Sequence, residues 1–416
     1  DASNTGQENT AIGHQALTAD TKGNRNVAVG AGTLVTQNFT TATSVYNVAV
    51  GYSTGNAITT GVQNTLIGGL AGDASQTGDA NVAVGYLSFS SVATGDNNTA
   101  IGTRSMFSNT SGSENTGLGK DALYSNTVGA YNTAVGEGAL YNNVDGSNST
   151  AVGRLALYTQ DPASAVNMYN VAVGYGAGQL VTTGTQNVLI GGLAGDSLNA
   201  ANENVALGYS ALTADLKGHR SVAIGTATLA TQQFGTSTNT YNTAVGYFAG
   251  NDITTGVQNT LIGGLAGDAL TDADYNVALG ISSLGLDTKG NKSVAIGAET
   301  LTTQNFTTST DTFNTAVGYA AGKAVTTGIY NTLIGGRAGD ALTDADYNVA
   351  IGGAALTSDT LGSESVAVGT SALTAQNFTT ATASYNVAVG SNAGAAVTTG
   401  IENVLIGGLA GDALTD

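Results

Sequence analysis

Polar and apolar positions along the chain follow one five-residue unit: Asn or Ser, then Thr or Val, then a small residue or Leu, then Val, Ile or Leu, then Gly. It recurs from Asn9 to Asn403 in 23 copies, 17 of the 22 spacings being 17 residues and five being 21. The long spacings follow Asn26, Ser149, Ser221, Ser293 and Ser365, so from Ser149 onward the order also repeats every 72 residues. Two larger residues flanking a small one give the period of a strand. A fixed repeat of this length reads as one coil of a solenoid, whose apolar residues are buried only by stacking on the next coil. The pattern predicts an all-β fold: a parallel β-solenoid (β-roll) of about 23 rungs, with 17-residue coils and 21-residue long coils. The repeat domain runs continuously over 9–416, after an N-terminal joint segment over 1–8 that is expected to link copies end to end. A rise of about 4.8 Å per rung makes a rod about 105 Å long.

A second apolar pair sits seven and eight residues after the motif start, as in Ala16-Leu17, Ala139-Leu140, Ala211-Leu212 and Ala355-Leu356. It predicts a second short strand closing the coil. Within the motif strand, Val222 and Ile224 share one face and Ala223 lies on the other. Taking Val222 and Ile224 as the inward pair leaves the central residues as an outer stripe. That position is Ala in 17 rungs, Leu in five (Leu66, Leu189, Leu261, Leu333, Leu405) and Gly117 in one. An apolar stripe this long is not left in water. Leu66, Ala223, Leu189, Leu261, Leu333 and Leu405 are therefore oligomer-interface candidates, with copies of the chain as partners. The alternative is a flat, two-layer coil whose other wall covers the stripe.

Composition narrows the function. A formal net charge of −18 with only 11 Lys and Arg argues against nucleic acid. Apolar runs are too short for a membrane span, and without cysteine no disulfide framework exists. "NTLIGGLAGDALTDADYN", Asn259–Asn276, resembles a phosphate loop when read alone. It is one rung among many, with no helical pattern behind its glycines and no lysine, so those glycines are expected at turns of positive φ. No cofactor is expected. His14 and His219 occupy different places in their rungs and are expected as exposed turn residues, so no triad or histidine metal site forms and the chain reads as non-enzymatic.

Three features remain as candidates. Asp268, Asp272 and Asp274 recur as Asp340, Asp344 and Asp346, either as ligands for Ca²⁺ or as a solvated acidic turn. Phe39, Phe234, Phe306 and Phe378 lie in the Thr-rich extra segment of long coils, either exposed to stack on a cell-surface glycan or folded over their own rungs as plugs. Asn38, Asn305 and Asn377 stand in Asn-x-Thr sequons and are glycosylation candidates. The first-position Asn ladder is expected to cap turns rather than bind sugar.

"RSVAIG" (Arg220–Gly225), "KSVAIG" (Lys292–Gly297) and "ESVAVG" (Glu364–Gly369) resemble the head repeats of YadA-type trimeric autotransporter adhesins. "NTAIGHQALTADTKGN" and "NTAVGEGALYNNVDGS" resemble the NTAxG-type repeats of bacterial surface proteins and phage tail fibres. The adhesin resemblance implies a left-handed roll assembled as a trimer and working in attachment. The coils here are longer, and no neck, heptad stalk or membrane anchor is visible. The expected function is a structural or adhesive filament on a bacterial surface, outside the cell. The alternative is a phage tail-fibre shaft or receptor-binding segment on a virion.

Overall fold

The computed structural model describes residues 5–91 and 93–416. Contacts group the chain into two units, Asp1–Asn204 and Val205–Asp416. Both are built the same way. Each rung, named here by its first motif residue, contributes one three-residue strand, such as Thr10–Ile12 and Val222–Ile224. No helix occurs among the described residues. Within each unit, strands of adjacent rungs pair in parallel without slip: Thr10 opposite Val27 in the first, Val222 opposite Thr243 in the second. This is a parallel β-solenoid with one motif strand per rung. Each long coil adds a two-residue parallel pair with the rung before it, as Gly290–Asn291 with Thr310–Asp311.

The structure reverses the assignment of the strand faces. Ala223, Leu189, Leu261 and Leu333 are fully buried and Leu66 nearly so, while Val222 and Ile224 are half-buried. The central residue points into the coil. Leu405, in the last rung, is less covered than its equivalents. These six residues are thus core, and the two-layer alternative accounts for their burial. The physical reason is thickness. The opposite wall comes so close that the strand's inner position takes Ala, or Leu only where glycine faces it.

That opposite wall is not a strand. The seventh and ninth residues of every rung have positive φ, as at Leu265 (+56°) and Gly267 (+55°). Their N–H groups still bond neighbouring rungs: Leu265 N donates to Tyr247 O and Gly267 N to Ser283 O, both at 2.9 Å. Of the predicted Ala-Leu pairs, Ala139-Leu140, Ala211-Leu212 and Ala355-Leu356 are buried here and Ala16-Leu17 is half-buried, with each Leu on left-handed backbone instead of in a pleat. Leu rarely adopts that conformation, at a cost of roughly 1–2 kcal/mol per residue, and stacking offsets it.

The ladder glycines behave as expected. All, from Gly13 to Gly407, have φ between +127° and +143°. A Cβ at Gly263 would lie 2.5 Å from Gly280 O in the next rung, so no larger residue fits.

Candidate functional site

The Asn ladder is internal. Asn259 N donates to Asn242 Oδ1 at 2.9 Å, and Asn259 Nδ2 donates to Ala273 O at 2.7 Å. Asn242, Asn259 and Asn276 are fully buried. Each side chain ties one rung to the next and satisfies a turn carbonyl, so the ladder caps turns and presents nothing to sugar.

A second buried polar set had no clear signal in the sequence. Asp287 Oδ1 accepts from Gly290 N at 3.0 Å and Phe306 N at 3.1 Å. Its Oδ2 accepts from Gln304 Nε2 at 2.5 Å, and Gln304 Nε2 also donates to Ser293 Oγ at 2.8 Å. Asn314 Nδ2 donates to Gln304 Oε1 at 2.9 Å. The same set recurs around Asp215 with Gln232 and Asp359 with Gln376. Asn143 and Gln160 form a neutral version. The 72-residue spacing of Asp and Gln was the available cue.

This network fixes the long coils, and it buries the phenylalanines. Phe39, Phe234 and Phe306 are 7% exposed and Phe378 6%. The Phe378 ring packs against Gly362 of the preceding rung, where a Cβ would come within 2.8 Å of it. The four phenylalanines therefore plug the coil and offer no face to a glycan. Asn38, Asn305 and Asn377 beside them are exposed. Thr288 Oγ1 donates to Asn305 Oδ1 at 3.1 Å.

The aspartates do not converge. Asp272 Oδ1 accepts from Thr255 Oγ1 and Asp274 Oδ1 from Val257 N, each at 2.8 Å in the rung before. Burial pushes the carboxyls of Asp268 and Asp274 above the ordinary range, with the charges of Asp252 and Asp272 respectively adding to it. Among the described residues no three His, Asp or Glu side chains group as metal ligands would, and the carboxylates of Asp272 and Asp274 bond the neighbouring rung. His14 is exposed as expected, but His219 is buried, its Nε2 2.7 Å from Ser237 Oγ. Residues 1–4 of the joint segment lie outside the described residues. Residues 5–8 pair as the closing turn of a rung would: Arg25 N donates to Gln7 O at 3.0 Å, and Glu8 has φ +58° like other residues before the motif.

What the surface does present is aromatic ladders and an aliphatic row. Phe107, Tyr124, Tyr141 and Tyr158 stack with centroids 5.3, 4.9 and 5.0 Å apart. Phe313, Tyr330 and Tyr347 stack at 5.0 Å steps. Arg104 lies over Tyr124 at 5.3 Å and pairs with Asp121 at 2.8 Å. On the outer strand face the fourth motif position is Val, Ile or Leu in all 23 rungs. Leu207 is 41% exposed, Ile262 38%, Leu279 41% and Ile334 37%.

No family model and no curated protein matches this chain.

Proposed function

We propose that the chain is a non-enzymatic structural segment of an extracellular fibre, a bacterial surface filament or adhesin, assembled from several copies of itself. The observation that supports this is the outer row of half-exposed Val, Ile and Leu. Repeated over eleven or twelve rungs per unit, it forms a patch on the order of 1,000 Å², beyond what monomers leave bare and within the range of stable interfaces. Another copy of the chain matches the rung spacing of that row along its whole length. A rotation axis parallel to the row, along the direction in which the rungs stack, brings like rows together, as in the trimeric adhesin heads that the repeats resemble. Glycan contact, in this reading, falls to the tyrosine ladders and not to the phenylalanine plugs. A phage tail-fibre shaft would use the same assembly, and the genes flanking this one separate the two sources. Electron microscopy of the purified chain tests the assembly: rods whose cross-section holds several chains are expected, and rods one chain wide would overturn it.

A further inference from the structure

The residue just before each motif forms a surface ladder, all of it on left-handed backbone, with φ between +50° and +65°. Five rungs preceding a long coil share one phase of this ladder: Arg25, Asn148, Arg220, Lys292 and Glu364. Three are cations, each lying over the aromatic ring of the next rung. Arg25 Cζ is 5.4 Å from the Tyr46 centroid, Arg220 Cζ 5.6 Å from Tyr241, and Lys292 Nζ 5.1 Å from Phe313. Glu364 reverses the charge at this place. It stands between Tyr347 and Tyr385, and the three residues line an open cleft. The two rings are 54% and 52% exposed. They are two rungs apart, about 10 Å, while filled places in this ladder stack at 5.0 Å. The gap is therefore one ring or one guanidinium deep, with the exposed Glu364 lining it.

We propose that this cleft binds an organic cation, an alkylguanidinium or alkylammonium such as an arginine or lysine side chain. Where three of the four phase-equivalent rungs hold their own cation over an aromatic, this rung supplies two aromatic faces and a negative charge, and lacks the cation. Faces of tyrosine attract such groups, and a carboxylate between them adds charge. The cleft lies wholly within the second unit, and the inference does not depend on the fibre reading.

The chain carries its own control, because Tyr131, Asn148 and Tyr169 repeat the arrangement with a neutral residue. The experiment is an NMR titration of the isotope-labelled full chain with N-acetyl-arginine methylamide, using N-acetyl-citrulline methylamide as the uncharged probe. Saturable shifts at Tyr347, Glu364 and Tyr385 with the arginine probe only are expected. Glu364→Gln should weaken binding about tenfold, and Glu364→Arg, which fills the cleft as Arg220 does, should abolish it. Asn148→Glu should create a second site at Tyr131 and Tyr169. Equal shifts with both probes, or binding unchanged in Glu364→Gln, would overturn the proposal. So would arginine binding of equal strength at the Asn148 cleft of the unaltered chain.

Discussion

Leu261 fits inside its coil because Gly250 faces it: a Cβ at Gly250 would stand 2.7 Å from Leu261 Cδ1. Gly267 in the same rung gives way likewise, at 2.9 Å from Leu261 Cδ2. Leu66, Leu189, Leu333 and Leu405 have the same pair of glycines, as Leu189 with Gly178 and Gly195. The twelfth residue follows suit. Ninth-position Leu accompanies a polar twelfth residue, as Leu284 with Asp287 and Leu301 with Gln304; ninth-position Gly accompanies an aliphatic one, as Gly250 with Ile253 and Gly267 with Leu270, except in the rung at Asn64, where Gly72 accompanies Ser75. The solenoid thus has two kinds of core layer, each filled to the same thickness.

This complementarity predicts coupling. Gly250→Ala should destabilise the chain by about 1–3 kcal/mol through overpacking, added to the strain of alanine at φ +57°. In a Leu261→Ala background the overpacking part should vanish, leaving only the strain. Denaturant unfolding of the four chains of this cycle measures the difference. Strictly additive effects would show that Leu261 and Gly250 do not compete for space.

Glycine should have opposite effects at two neighbouring places. Gly263→Ala meets Gly280 O and a φ of +139°, and should cost about 3 kcal/mol or more. Gln258, on left-handed backbone at φ +58°, is strained. Gln258→Gly should therefore be neutral or stabilising by up to about 1 kcal/mol, relief of that strain outweighing the greater freedom of the unfolded chain. Thermal unfolding of the two variants gives the comparison, and a loss at both positions would contradict the backbone described here.

Phe306→Ala should cost about 3–5 kcal/mol and open the long coil. Hydrogen exchange should quicken between Thr288 and Asn314, around the Asp287–Gln304 network, and stay unchanged in distant rungs. Unaltered exchange there would mean that Phe306 is not the plug.

The strand and its register were legible because the five-residue unit repeats with no slip, so Val222 had to meet Thr243. Its facing was not legible. Val222, Ala223 and Ile224 are apolar on both sides, and only the thickness of the coil decides that Ala223 goes in. The left-handed wall was hidden for a different reason: Leu disfavours positive φ, and only its exchange with Gly at the ninth position hinted at it. The site residues suffered from both effects. The Thr-rich segment left Phe306 open between an exposed ring and a plug, and Asp287, which the repeat did not single out, holds its backbone N–H inside.

Stability should respond to pH at Asp274. Its carboxyl is pushed up by burial, so its favourable contribution is complete at low pH and is lost as pH rises through the folded-state value. Asn202 fills the equivalent place in another rung, accepting from Thr185 N at 2.7 Å, so an amide fits. Asp274→Asn should raise the melting temperature at neutral pH, and the gain should disappear below about pH 4. A gain that persisted at low pH would assign it to something other than the buried charge.

The central claim is that the outward row of the sheet, and not the Ala/Leu row, joins copies of the chain. Sedimentation velocity of the intact chain beside the triple variant Val245→Lys, Ile262→Lys, Leu279→Lys tests it most directly. The account predicts an oligomer for the unaltered chain and a monomer of unchanged β-rich circular dichroism for the variant. A monomeric unaltered chain, or a variant that sediments as the same oligomer, would contradict it.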